Sequence, residues 1–346
     1  MASRSAIAAH FEAQARACDD LGSPFTARLC RMLPDLVAGT ATGERLFAWD
    51  GDLRGDALAL RLTGGLHRLV LEGADPEFAE VYPPRAADDA VLRAAVRRTL
   101  RRNDAMLVAH LDSPPQTNEV ARSAMLLPGL LEIAREAGLP LALNEIGASA
   151  GLNLFFDRFR YDFRDVVWGD AGSSVHLAPE VRGAMPDLRG TVSVVSRYGC
   201  DVKPVDIGGA DGRLRLKSYI WPDQRARLTR LEAAISIAQA DAFSLDLEDA
   251  AAFVARRLAA RLPGQTFVLF HSIMWQYMPS AARRAIEASL REAGETASAT
   301  APVAWVRMEP IEAGAPSATL SLTSWPGGDT RHLARCDYHG RWIEML

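Results

Sequence analysis

Apolar positions in the first third of the chain recur at i, i+3, i+4 and i+7, the spacing of helices that bury one stripe. This predicts a helix after Ser23-Pro24, with Ser as N-cap and Pro in the first helical position ahead of 25–33. Further helices are expected over 53–71, 88–101 and 118–137, separated by punctuation such as Tyr82-Pro83-Pro84 and Ser113-Pro114-Pro115. From Pro140 the period shortens. Apolar runs at 141–145, 191–197, 235–240, 265–270 and 303–308 alternate with helical stretches at 221–233, 247–260 and 280–293, which implies a parallel sheet with helices on its faces. After Pro310 the pattern turns antiparallel, with strands at 318–324, 331–336 and 341–346 around a Pro326-Gly-Gly-Asp329 turn. The stretch 155–190 is the least regular and predicts a small hairpin inserted after the first strand and helix. The expected class is therefore α/β, with a helical domain over 1–115 and a sheet domain over 116–346 that carries the insertion at about 155–190.

Composition narrows the function classes. The chain has 346 residues, 49% of them hydrophobic and 24% charged, as in a soluble globular protein. A formal charge of -4 argues against a general nucleic-acid binder. Lys203 and Lys217 are the only lysines, so the basic residues are almost all arginine. Cys18, Cys30, Cys200 and Cys336 are scattered without C-x-x-C spacing, and the histidines form no ligand pair, so neither a disulfide framework, a zinc site nor another metal site is expected. No run approaches the ~18 apolar residues of a membrane span, and the N-terminus lacks the apolar core of a signal peptide. A cytoplasmic location, with neither membrane nor nucleic acid as partner, is the expectation.

Chemistry concentrates in Leu141-Ala-Leu-Asn-Glu-Ile-Gly-Ala-Ser-Ala-Gly-Leu-Asn-Leu154, an apolar strand ending in Glu145 and turning through Gly147, Ser149 and Gly151. Glycine permits positive φ and close approach of a ligand to the backbone, while the first free amides of a following helix favour negative charge. Read as E-x-G-x-G-x-G, with Ser149 in place of the middle glycine, the turn resembles the S-adenosylmethionine loop of class I methyltransferases. Read as G-x-S-x-G, it resembles the nucleophile elbow of an α/β-hydrolase, with Ser149 as attacking hydroxyl.

Strands joined by helices run parallel, so their carboxyl ends share one edge of the sheet, where a ligand crevice forms. Asp201 follows the second predicted strand, with Asp206 as its rival, Asp241 follows the third and His271 the fourth. For S-adenosylmethionine, the expected cofactor, Glu145, Gly147, Ser149, Gly151 and Asn153 would form the cradle. Asp201 would accept the ribose hydroxyls, and Asp241 with the Ala242 amide would read the adenine edge. Transfer from a sulfonium mainly needs an oriented acceptor and, where required, a base. His271 is the expected base, with Tyr277 stacking on or hydrogen-bonding a small-molecule acceptor and Ser272 and Trp275 lining its pocket. Asn118 and Glu119 in Gln116-Thr-Asn-Glu119 either start a helix or reach over the crevice.

Several segments together resemble a bacterial family of uncharacterised proteins, the domain of unknown function 2332 family. They are Gly22-Ser-Pro24, Gln116-Thr-Asn-Glu119 with Arg122, Glu145 to Leu154, Arg158-Phe-Arg-Tyr161, Gly199-Cys-Asp-Val-Lys-Pro-Val-Asp206, Ile220-Trp-Pro-Asp-Gln224, Phe270-His-Ser272 and His339-Gly-Arg-Trp342. The methyltransferase resemblance covers roughly 117–346 and implies a Rossmann-like sheet of parallel strands with a C-terminal antiparallel pair, under a helical cap that closes over the acceptor. The interval from Glu145 to Asp201 exceeds the usual ~20 residues between a nucleotide turn and its ribose acid. The hydrolase reading would order Ser149, Asp241 and His332 or His339 along the chain, and a non-catalytic nucleotide-binding protein is a third reading. G-x-G-x-x-G is not met, because Ser149 and Leu152 occupy glycine positions, which argues against a dinucleotide dehydrogenase.

Overall fold

Strands buried on both faces read as continuous apolar runs, and the centre of this protein is built from two of them. In the computed structural model, which describes residues 3–312 and 314–346, every residue of β1 (Leu141–Ile146) and of the later strand Thr266–Ser272 is buried. After β1 the strands, in chain order, are β2 (Arg160–Phe163), β3 (Val166–Gly169), β4 (His176–Leu177), β5 (Glu180–Arg182), β6 (Val194–Asp201), β7 (Ser244–Leu247), β8 (Thr266–Ser272), β9 (Val303–Glu309), β10 (Ala318–Trp325), β11 (Thr330–Cys336) and β12 (Trp342–Met345), twelve in all among the described residues. Nine of them form one sheet in the order β5-β12-β11-β10-β9-β8-β1-β6-β7, and β3-β2-β4 form a small second sheet within the insertion.

The strands β7, β6, β1, β8 and β9 are mutually parallel. Beyond β9 the sheet continues as an antiparallel meander through β10, β11 and β12, and β5 closes it parallel to β12. The chain leaves β1 for β6 and β7 on one side, then returns to place β8 and β9 on the other. That reversal makes a switch point at the carboxyl end of β1, where open α/β sheets bind ligands. The protein is thus a mixed α/β fold around a large, mostly parallel sheet.

Alternate residues of a strand face opposite sides. Trp305, Leu269, Ile146 and Cys200 enter a core with Phe253, Val254, Ile286 and Leu290 from the helices Ala250–Ala259 and Ser280–Glu295. Val306, adjacent to Trp305, points the other way, towards the helix Arg122–Ala137, where Gly129 lets the backbone come close: a methyl group there would lie 3.4 Å from Val306. Glu145 belongs with Val306, and Ile146 with Trp305.

Two compact units divide the chain, one comprising Met1–Thr117 with Gly208–Thr229, the other Asn118–Ile207 with Arg230–Leu346. In the first unit, helices Arg4–Asp20, Pro24–Leu36, Leu58–Leu71 and Asp89–Arg102 bury the leucine stripes seen in the sequence. Ser23 does not cap its helix through the side chain; its hydroxyl donates to Thr26 Oγ1 at 2.8 Å and also meets Asp223. One strand lies elsewhere than the periodicity predicts. Residues 235–239 are the end of the helix Arg225–Gln239, Ala240 follows it in a turn, and the third parallel strand is the short, half-exposed β7.

Among the described residues, no helix is long and apolar enough to cross a membrane, and no group of three or more His, Cys, Asp or Glu is arranged to hold a metal ion. All four cysteines are free and buried.

Candidate functional site

After β1 the chain turns through Gly147 at φ +62°, Ser149 at φ +55° and Gly151 at φ +72°. Left-handed backbone is easy for glycine and strained for serine. The bend leads into a seven-residue 3-10 turn, Leu152–Arg158, in place of the α-helix expected there. Its amides are therefore satisfied from within. Ala148 N–H donates to Cys200 O at 3.0 Å, Gly151 N–H to Ala148 O at 2.7 Å, Leu152 N–H to the Asn118 side-chain oxygen at 2.8 Å, and Ser149 N–H to Asp201 Oδ2 at 2.9 Å. The expectation of free helix amides facing an anion is corrected accordingly.

Two regions diverge from this bend. Glu145, on the face towards Arg122–Ala137, enters a closed polar cluster. Asn153 is buried beside it and accepts from Ser123 Oγ at 2.7 Å. Arg122 Nε donates to Tyr338 O at 2.9 Å and spans towards Ser272 O. Glu119 accepts from Ala121 N–H at 3.2 Å and lies 3.8 Å from Arg230. Burial pushes the Glu145 carboxyl well above the ordinary glutamate range; Asn153 and Arg122 oppose that shift and Asp201 adds to it. Its Oε2 and the Ser149 hydroxyl are buried without a hydrogen-bond partner.

The other region is an open cleft of about 350 Å³ lined by Gly147, Cys200 to Val202, Glu248 to Ala250, Met274 and Tyr277 to Pro279. Each stretch lies at or just beyond the carboxyl end of a parallel strand: Gly147 succeeds β1, Asp201 ends β6, Glu248 to Ala250 succeed β7, and Met274 to Pro279 succeed β8. Apolar walls with a few placed polar groups are what a small-molecule site requires. Asp201 is oriented for such a role, because Ser149 N–H holds one carboxylate oxygen and Lys203 N–H the other at 2.8 Å. Each oxygen of an ionised carboxylate can accept more than one hydrogen bond. Val202, 70% exposed, and Met278 supply apolar surface beside it. Asp249 caps the helix Ala250–Ala259 through the Ala251 amide at 2.9 Å, and Glu248 pairs with Arg256.

Of the residues expected to hold a cofactor, Gly147 and Asp201 line this cleft; of the expected catalytic pair, Tyr277 does. Glu145, Ser149, Gly151 and Asn153 do not line it, and Gly151 packs against Phe243 instead, at 3.0 Å from an added methyl group. Asp241 and Ala242 precede their strand and do not come after it. Asp241 accepts from the Ala242 amide at 2.8 Å and from Arg158 at 2.9 Å, and the carboxyl end of that strand is held by Glu248 and Asp249.

His271 is completely buried. Its Nδ1 lies 2.7 Å from Glu309 Oε1, and its ring stacks on Trp275 at 5.0 Å, so it does not face the cleft as a base would. Ser272 is buried with its carbonyl towards Arg122, and Trp275 covers His271. Asn118 and Glu119 precede the helix Arg122–Ala137 without capping it and serve the closed cluster.

Sequence reasoning misses Glu309, although an acid ending a predicted strand ahead of Pro310 is the same signal that picks out Asp201. The hydrolase constellation does not assemble: Ser149 Oγ meets no imidazole, and His332 Nδ1 pairs with Ser321 Oγ at 2.9 Å on neighbouring strands.

No curated protein and no solved structure matches this chain. Residues 8–345 match the family described as an uncharacterized protein conserved in bacteria (DUF2332), and the chain belongs to that family.

Proposed function

We propose that this protein binds the nucleoside of S-adenosylmethionine in the cleft and is a class I-type, Rossmann-like methyltransferase acting on a small molecule. The observation that carries this reading is the meeting, around one apolar-walled cleft, of a glycine turn after β1, an acid ending β6, an acidic helix start after β7 and an aromatic loop after β8. The donor set fits a nucleoside. Asp201 offers a carboxylate to vicinal hydroxyls, and Val202, Ala250, Met274 and Met278 offer apolar surface to a base.

When bound, the cofactor would supply an electrophilic methyl group. The chain's own part would be to bind the nucleoside, orient an acceptor and exclude water. Tyr277, 73% exposed at the mouth of the cleft, is the side chain available to contact an acceptor.

A second reading, nucleoside binding without turnover, is favoured by one observation: the histidine expected as base is shut away beneath Trp275. Calorimetric titration separates these readings from no function at this cleft. S-adenosylmethionine and its demethylated product should bind wild type; Asp201→Ala should weaken that binding about thirtyfold, and Gly147→Arg should abolish it. Unchanged affinity in these variants would count against the cofactor assignment. Binding with no methyl transfer to any acceptor in a metabolite panel would leave the second reading.

A further inference from the structure

The loop after β8 reaches the cleft by an unusual route. Beyond Ser272 the chain turns through Ile273, a β-branched residue at φ +52°, whose N–H donates to Met308 O at 3.0 Å. Left-handed backbone is costly for such a residue and persists only where its surroundings impose it. Glu309 grips the chain on either side of Ile273. One oxygen, Oε1, accepts from Met274 N–H at 3.1 Å and Trp275 N–H at 3.3 Å and lies 2.7 Å from His271 Nδ1. His271 in turn carries the Trp275 indole on its ring, the two planes 13° apart, and Trp305 packs beside both.

The consequence lies at the glycine turn. A methyl group added to Gly147 would sit 2.8 Å from Met274 Cγ and 3.0 Å from its Cε. Met274 therefore occupies the space over Gly147 that a ligand chain crossing the turn would need. It leaves the Asp201, Val202 and Ala250 part of the cleft open.

We infer that Glu309 and His271 are positioning residues which hold the loop after β8 so that Met274 lies over the glycine turn and selects what the cleft accepts. A bare nucleoside fits beside Met274, whereas a ligand extended across Gly147 by an aminoacyl chain must displace it. The ligand part of this inference rests on the nucleoside reading above; the anchor itself does not.

The test has two arms. In ligand-free protein, amide hydrogen exchange at Met274 and Trp275 should accelerate about tenfold in Glu309→Ala, as expected for loss of the acceptor both amides share. Glu309→Gln, which keeps an oxygen for both amides, should restore most of that protection. Glu309→Asp, a milder change should the alanine variant fail to fold, should lie between. In the second arm, adenosine and S-adenosylhomocysteine are titrated into wild type and Met274→Ala. Removing the thioether should favour S-adenosylhomocysteine by about fivefold and change adenosine little. Unchanged exchange in Glu309→Ala or Glu309→Asp overturns the anchor whether or not a nucleoside binds. Equal shifts for the two ligands overturn the selection. Altered exchange with no binding of either nucleoside to wild type supports the anchor and refutes the function reading and the selection built on it.

Discussion

Two regions that share the bend after β1 differ in almost every physical respect. Around Glu145 the polar groups are buried and mostly answered by one another: Asn118 holds the Leu152 amide, Ser123 holds Asn153, and Arg122 holds two carbonyls. Around Gly147 the walls are apolar, the acids lie at strand ends, and solvent enters. Motif residues fill both regions, so a motif shows that a segment is demanding without showing for what. In the closed region the demand is hydrogen-bond satisfaction in low dielectric; in the open one it is a shaped surface with an oriented carboxylate.

The contrast breaks most readily on the closed side. Asn153→Ala removes the acceptor of Ser123 and a group that helps satisfy Glu145, leaving buried polar atoms unpaired. Loss of about 3 kcal/mol is expected, read as a melting temperature lower by several degrees. A variant as stable as wild type would show that the cluster holds nothing together.

On the open side, Asp201→Ala should weaken nucleoside binding about thirtyfold, the loss of about 2 kcal/mol of charge-assisted hydrogen bonding. Its effect on the melting temperature should be smaller than that of Asn153→Ala.

Glu145→Gln sharpens the comparison through pH. The buried carboxyl keeps its proton to higher pH than it would unfolded, so the unfolded state sheds its proton first. Native stability is then full below the ordinary glutamate range and falls as pH rises through the raised native value. The glutamine variant should match wild type at low pH and exceed it as pH rises, by about 1 kcal/mol. A parallel pair of curves across pH 4 to 9 would contradict the burial argument.

The smallest effect belongs to the exposed wall. Val202→Ser should leave the melting temperature within about 0.5 kcal/mol of wild type while lowering nucleoside affinity about threefold.

The sequence exposes the long periodic elements and hides the short ones. Strands β1, β8, β9, β10 and β11 are legible because apolar runs between glycine and proline punctuation have few other solutions. Residues 235–240 alternate apolar and polar residues and so fit a strand, but all except Ala240 continue a helix; the true strand, Ser244–Leu247, carries little apolar signal at the sheet's edge. That one difference shifts the acid at the end of the third strand from the expected Asp241 to Glu248 and Asp249.

Gly147 and Asp201 are readable as neighbours at one cleft because strand ends converge whatever the loops do. The inward turn of His271, the hold of Glu309 on two loop amides and the use of Asn118 as an internal plug depend on side-chain packing between distant segments. No periodicity encodes it. The return of Gly208–Thr229 to the helical unit is likewise invisible, since its composition matches the helices around it.

Whether the cleft holds a nucleoside is decided by a crystal structure grown with S-adenosylhomocysteine. Density for the nucleoside is expected in the cleft, with its ribose hydroxyls on Asp201 and its base between Val202 and Met278. Density at any other place on the sheet, or a cleft that stays empty at saturating ligand, would contradict the nucleoside reading.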